Sequence, residues 1–362
     1  MNTHLEYCCQ NKDFYFQFLL HTPFRWNFVY KCIFLYVNTQ TFASLFHKYS
    51  SVIMIMQTYL YTNYSQYIHN YFSNKVQKIP IDIGCTCPVR DGSISRGGCS
   101  FCNGRSFIPR FVSVEDSVVD QIKSGINFFK SKTKNKEIDY IVYFQSGTNT
   151  YMPLNKAQRV VEAAMQVDGV KGLVFSTRTD CLPNQWLNFL KDLSLKCFVE
   201  VELGVESVSN SVLADIGRGH DVECSVCTIK NLHALNIPVC AHMILGLPGE
   251  SRQTMLDQAT FLNDLKVEVV KLHQLQILRG SRMEQIYNEQ KENFKLFSLQ
   301  NYVSFVCDYL KILSPQVAVE RFVSQSPSIE LIAPKWGVKN DVVTNLIIQE
   351  LRKKELYQGC LL

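Results

Sequence analysis

A chain of 362 residues, 46% hydrophobic and 19% charged, is long enough for one large or two ordinary domains and apolar enough to bury a core. Its formal net charge of +5, without a dense lysine or arginine block, permits a nucleic-acid or phosphate partner but does not demand one. Fourteen scattered cysteines in a chain of this size argue against a small secreted disulfide scaffold and for a reducing, cytoplasmic setting, where clustered cysteines read first as metal ligands.

Residues 1–53 stand apart. They are aromatic-rich, show no helical or strand period, and are interrupted by Glu6, Lys12, Asp13, Arg25 and Lys31. The longest clean apolar run, CIFLYV, falls far short of the ~20 residues a membrane span needs, and no signal peptide is evident. Met54 and Met56 stand just ahead of the first patterned segment, so the expectation is an extension upstream of the native start.

From residue 77 the chain becomes regular. Strands are expected over 77–84, 139–146, 172–178, 197–205, 237–246 and 267–278, with helices near 114–131, 155–167, 183–193, 222–235 and 251–264. Ser113 with Asp116, and Asn155 after Pro153, read as helix starts. The basic run KSKTKNKE (130–137) reads as a solvated loop. Strands alternating with helices imply an α/β fold with parallel pairing through right-handed crossovers, either open or curled into a barrel. The stretch beyond about 290 departs from that pattern. The expected division is therefore 1–53, 54–290 and 291–362.

The chemistry concentrates in CPVRDGSISRGGCSFC, residues 87–102. In parallel α/β folds the working residues sit at the C-terminal ends of strands, and this loop follows the first strand. Three thiols, Cys87, Cys99 and Cys102, suit a 4Fe–4S cluster held at three irons, with the fourth iron open. Zinc with a fourth ligand from elsewhere, Cys85 or a histidine, is left open by spacing alone. Cys224 and Cys227 form a CxxC on a predicted helix with no second pair nearby, and are not expected to hold metal. Cys181 follows the third strand and is expected to pack rather than react.

CPVRDGSISRGGCSFC resembles the cysteine loop of radical S-adenosylmethionine (SAM) enzymes, in the form used by the YhcC/YtqA-like family, which is related to the Elongator catalytic subunit and HemN. The resemblance continues in order through YFQSGTNTY (143–151), STRTDCLP (176–183), ELGVES with IGRGHD (202–221), ILGLPGE (244–250), KLHQLQILRGSRM (271–283) and LIAPKWGVKN (331–340). It implies a partial (β/α)6 TIM-like barrel with a C-terminal α-containing extension. It also implies a 4Fe–4S cluster on Cys87, Cys99 and Cys102, reductive cleavage of SAM to a 5′-deoxyadenosyl radical, and an electron donor of the flavodoxin or ferredoxin type.

Further roles follow from the same resemblance. Phe101 matches an aromatic near the adenine. Gly147 and Thr148 stand in the segment that receives the methionine amino group. Glu206 falls where relatives carry Gln on the ribose hydroxyls, and Arg218 matches an arginine facing the cofactor carboxylate. Beside these, His242 reads as a satisfied core histidine, and Glu202 as an inward carboxylate needing a cofactor amine or a basic partner. In the tail, a helix is expected to bury Val342, Leu346, Ile347 and Leu351 and to expose Arg352, Lys353 and Lys354. Lys335, Trp336 and Lys339 offer a cation and stacking platform for RNA. The leading substrate expectation is wobble uridine in tRNA. The rivals are a small-molecule or peptide substrate, and a non-enzymatic zinc-stabilised RNA-binding module.

Overall fold

The structure is a computed structural model that describes residues 59–104, 112–131, 137–324 and 326–362. The N-terminal extension with Met54 and Met56, and most of the basic run at 130–137, lie outside the described residues.

From Leu60 onward the chain forms one unit. Its first half contains α1 (Tyr64–Ile68), β1 (Lys75–Ile81), α2 (Pro88–Asp91), α3 (Val118–Lys130), β2 (Ile138–Phe144), α4 (Leu154–Met165), β3 (Val170–Arg178) and α5 (Asn184–Ser194). The second half contains β4 (Phe198–Glu206), α6 (Asn210–Asp215), α7 (Val222–Ala234), β5 (Val239–Leu245), α8 (Arg252–Asp264), β6 (Val269–Gln274), β7 (Ile277–Leu278) and α9 (Arg282–Glu289). It closes with α10 (Leu299–Ile312), β8 (Ala318–Arg321), β9 (Leu331–Ala333) and α11 (Asn340–Lys353).

Seven strands pair in parallel in the order β1-β2-β3-β4-β5-β6-β8 and curl into a half-barrel. The first six, β1 to β6, form the expected partial barrel, and β8 adds a seventh strand at its edge. The segment after 290, expected to leave the barrel pattern, sends β8 back beside β6, with Val269 opposite Ala318. Four residues are too few to display a period, which is why this strand escapes a sequence reading.

The run expected as a single strand over 267–278 breaks at Leu275. There the backbone turns to bond Leu245 and continues as β7, which pairs antiparallel with β9. Helix α3 starts at Val118, capped by Ser117, whose hydroxyl accepts from the Asp120 N–H; Ser113 instead closes a turn onto Asp116. Asn155 is already inside α4.

Strand alternation separates two environments. On β4, Val199, Val201, Leu203 and Val205 face the helices and join the main apolar core. Phe144 and Phe175 stack in that core at 4.7 Å, with Trp186 edge-on to Phe175. Each such large side chain contributes roughly 1.5–3 kcal/mol on burial, so packing rather than helix propensity holds these layers. The opposite face of β4 turns Glu200, Glu202, Gly204 and Glu206 into the barrel. There α1 and Phe72 pack on Ile141, Tyr143, Val174, Cys240, Val269 and Ala318.

The C-terminal helix α11 lies against α10 and buries Val343, Ile347 and Leu351, a strict i, i+4, i+8 stripe. Val342, expected inside, is 40% exposed, and Leu346 is only partly buried. The buried face takes Val343 in place of Val342, while Ile347 and Leu351 are buried as expected. Among the described residues no helix is long and apolar enough to cross a membrane.

Candidate active site

The chain leaves β1 through Gly84 and enters the cysteine loop. Cys87 caps α2, a single turn that ends at Gly92. Asp91 and Arg96 then bridge antiparallel, and the Gly98 N–H returns to the Val89 carbonyl at 2.8 Å. Cys99 and Cys102 close the loop through a 3.0 Å backbone bond. The Ser100 N–H donates to the Ile216 carbonyl and the Ser100 carbonyl accepts from Met283, so the thiol-bearing turn is clamped from both sides.

Three arginines reach the thiols. Arg90 Nη2 donates to the Cys102 carbonyl at 3.1 Å and to its Sγ at 3.4 Å. The two loop glycines make room for it, since a Cβ on Gly98 would fall 2.8 Å from Arg90 Nη2. Arg218 Nη1 lies 3.4 Å from Cys99 Sγ, while its Nη2 donates to the Gly204 carbonyl at 2.6 Å. Arg178 reaches Cys99 Sγ at 4.0 Å, donates to the Arg218 carbonyl, and makes a two-pronged pair with Asp180 at 2.8 Å. Burial works against the Arg218 charge, but Cys99 and Glu206 more than offset it and its pKa is raised. Burial lifts the Cys102 thiol above its ordinary range, with Arg90 opposing.

Glu206 sits at the end of β4 with φ +70°, a left-handed conformation uncommon outside glycine, found where a fold places a side chain for use. Its carboxylate stands 3.6 Å from Arg218 Nη2. Burial raises its pKa, and Arg218 and Arg178 pull it back.

Gly147 passes so close to the loop that a Cβ would lie 2.1 Å from the Cys85 carbonyl. The neighbouring Thr148 N–H donates to the Thr86 carbonyl at 3.1 Å, tying the segment after β2 to the cysteine loop. Cys87, Phe101, Cys102, Gly147, Thr148, Arg178, Glu206 and Arg218 all line one cavity of about 500 Å³, together with Cys99. Its wall also includes Tyr143, His273 and Gln274, which lie within the quoted motifs, Arg321, which does not, and His242, expected as a core histidine and indeed satisfied by Glu202.

Beneath the cavity lies a buried ionic cluster. Glu202 accepts from Lys271 at 2.6 and 2.7 Å, Lys78 at 2.9 Å, Tyr143 at 2.6 Å and His242 at 2.8 Å. Lys78 also reaches Glu200 and Glu320, and Lys271 reaches Glu320. Burial works against the Glu202 charge, but Lys271, Lys78 and His242 hold its pKa well below the usual range. The partner of Glu202 is therefore the protein itself.

Among the described residues, the ligating side chains that converge within 4.8 Å are Glu202–Cys240–His242 and Glu200–Glu202–Glu320; the three loop thiols are not such a set. Both carboxylate sets are closed by ammonium groups, which a cation would have to displace. A single tetrahedral zinc would draw thiolates to about 3.8 Å of one another, from Zn–S bonds of about 2.3 Å.

The sequence model of the Radical SAM superfamily matches residues 92–262, and that of the Radical SAM C-terminal domain matches residues 267–353. The uncharacterized protein YtqA of Bacillus subtilis is 34% identical over 299 residues, covering 83% of this chain and 92% of that one. YhcC of Escherichia coli is 30% identical over 266 residues, covering 73% and 84%. This chain belongs to the YhcC/YtqA-like family of radical SAM enzymes.

A more distant relative is a tRNA uridine(34) acetyltransferase of Methanocaldococcus infernus, 26% identical over 212 residues, which are 58% of this chain and 38% of that one. Among solved structures, the Elp3 of the same archaeon, with N-terminal residues 1–46 deleted, shares the fold at a TM-score of 0.60 and 16% identity. The match covers 79% of this chain and 64% of that one.

Within this radical SAM barrel Cys85 also lines the cavity, with burial pushing its thiol up to about 12, and Cys240 lies beside Glu202 and His242. Cys181 is buried, its thiol lies 3.6 Å from Asp180, and burial pushes its pKa up to about 12, which keeps it protonated. Cys224 and Cys227 ride on α7, the latter exposed and bonded only to Asn231. Trp336, expected as a free stacking platform, is engaged instead. Its Nε1 donates to the Phe297 carbonyl at 2.9 Å and its ring packs on Tyr302 at 5.1 Å, while Lys335 and Lys339 stay exposed. Arg352, Lys353 and Lys354 are all exposed at the helix end, as expected, and Lys354 pairs with Glu350.

Proposed function

We propose that this radical SAM enzyme modifies a wobble uridine of tRNA, with Cys87, Cys99 and Cys102 holding a 4Fe–4S cluster beside SAM. The observation that carries the cofactor part is the gathering of Cys87, Cys99 and Cys102 and the Arg218–Glu206 pair on one cavity at the strand ends. The substrate part rests on the distant kinship to a protein named for uridine 34 of tRNA.

The residues fit the cofactors. Three thiols with arginines directed at two of them suit an anionic sulfide cluster, because guanidinium groups stabilise the thiolate form in a dry site. When bound, the cluster and SAM supply one-electron cleavage of the sulfonium to a 5′-deoxyadenosyl radical that takes a hydrogen atom from the substrate. Arg218 neutralises negative charge next to Cys99 and is held in place by the Gly204 carbonyl. Glu206 presents carboxylate oxygens to hydroxyl donors. Thr148 and Gly147 bring backbone polar groups against the loop. The apolar lining of the cavity, including Phe101, Val89, Ile244 and Leu278, encloses the reacting atoms and keeps competing hydrogen donors away from a radical. We also assign the electron to a flavodoxin or ferredoxin type donor and the work to the cytoplasm, where thiols stay reduced.

The test is a mass-spectrometric profile of tRNA nucleosides from cells with and without the gene. The expected result is loss of one wobble-uridine modification with accumulation of its precursor, restored by the wild type and not by Cys99→Ala. An unchanged profile would overturn the tRNA assignment and turn the search to metabolites or proteins.

A further inference from the structure

Arg321 ends β8 and lines the same cavity as the thiols, beside Tyr143, His242, His273 and Gln274. Its register partner is Lys271, in the middle of β6, so it stands deeper in the barrel than the loop that leaves the end of β1. Arg321 Nη2 donates to His273 Nε2 at 3.0 Å, and its buried Nε has no partner among the described residues. Burial and the adjacent Arg321 charge hold the His273 pKa well below its usual value, so the ring is neutral. His242 stacks over it at 5.3 Å and is neutral as well, held down to about 4 chiefly by burial.

The acids of the barrel are already engaged. Glu202 and Glu320 are each bridged by Lys78 and Lys271. Glu200, pushed up to about 7 by burial, rests on Lys78. Arg321 forms an ion pair with none of them at 4 Å or less. Its position is also fixed. Gln274 and Gln276 both donate to the Ser324 carbonyl, and the Gln274 side chain accepts from the Ser324 N–H, which pins the chain just after β8.

A guanidinium seated on a neutral imidazole in a cavity wall is half of an ion pair. Its fork geometry matches an oxyanion, and its buried Nε is a donor that such a group would satisfy. We infer that Arg321, supported by His273, receives an oxyanion carried by the substrate, a carboxylate or a phosphate. This rests on the reading of the cavity as the place where a radical SAM enzyme holds its substrate. It is separate from Arg178, which is paired with Asp180 and the Arg218 carbonyl, and from Arg218, which faces Cys99, Gly204 and Glu206 at the rim.

The test uses the full chain with its cluster reconstituted and SAM saturating. Thermal midpoints are measured against sodium acetate and inorganic phosphate, with chloride at matched ionic strength as the control. One of the two anions should raise the wild-type midpoint saturably beyond chloride, and which one does so distinguishes a carboxylate from a phosphate. Arg321→Gln should weaken that anion by about tenfold or more, the range expected for a charge-assisted pair, and Arg321→Lys by less. Affinity for SAM should stay within about twofold in both variants.

Three results would overturn the proposal: no anion exceeding chloride in the wild type, equal anion binding in Arg321→Gln, or a tenfold loss of SAM affinity, which would assign Arg321 to the cofactor. The first needs no variant to fold. An unchanged tRNA nucleoside profile with anion binding intact would refute the tRNA reading and leave this site standing.

Discussion

The cavity rim and the barrel interior just beneath it are both built from charged side chains, but they are built differently. In the interior the two lysines and their three glutamates meet opposite charges: Lys78 touches three carboxylates and Lys271 two, at 2.6–3.1 Å, while Arg321 faces a neutral imidazole. At the rim Arg178 is paired with Asp180, but Arg90 and Arg218 face thiols and backbone carbonyls, the Arg218–Glu206 contact is a loose 3.6 Å, and Arg218 Nε and Ser146 Oγ are buried without partners among the described residues. A closed network holds a shape. An open one is waiting for atoms the chain does not own, because buried polar groups are rarely left unsatisfied without a purpose.

That contrast is easiest to break at the thiols. Anaerobically prepared wild-type protein should carry about four irons with matching sulfide. Cys99→Ser should lose nearly all of both, whereas Cys227→Ser, on an exposed helix face, should retain them. Iron retained by the serine variant would mean that the rim does not hold the cluster through these ligands.

The interior should respond in stability instead. Lys271→Met leaves Glu202 short of its closest cation inside a barrel and should cost about 3–5 kcal/mol in urea unfolding. Pairing it with Glu202→Leu should recover much of that loss, since an apolar pair of similar volume removes the stranded charge. A single substitution costing under about 1 kcal/mol would show the network to be dispensable.

A smaller effect is expected between these regions. Glu250, which follows β5 and accepts from Ser207 at 2.5 Å, is pushed up to about 7 by burial. Its folded-state pKa lies above the ordinary carboxyl value. The folded protein therefore binds more protons than the unfolded chain between about pH 4.5 and 7, and stability falls as pH rises through that window. Glu250→Gln should flatten this slope, gaining up to about 2 kcal/mol over the wild type by pH 7 after allowance for partial exposure. Parallel pH profiles of the two proteins would contradict the assignment.

The strand and helix order was legible because each element is long enough to display its own period. β4 shows this best, with valines and Leu203 alternating against Glu200, Glu202 and Gly204. The cysteine loop was legible because ligand spacing is a covalent property of one short stretch. β8 was not, being four residues long and a strand only because β6 lies beside it. Nor was the choice between Val342 and Val343 on the last helix, which depends on where α11 meets α10 rather than on composition. Trp336 looked available for stacking until Phe297 and Tyr302 claimed it.

Local pattern thus settled the α/β class, the strand-end position of the three thiols and the family to which they point. Folding in three dimensions alone decided which charges became partners. Lys78 and Glu202 are 124 residues apart, Arg218 and Cys99 119, and Arg321 and His273 48. Such pairings leave no periodic trace in a chain, because a barrel brings together in its lumen residues whose only common feature is the side of the strand they occupy.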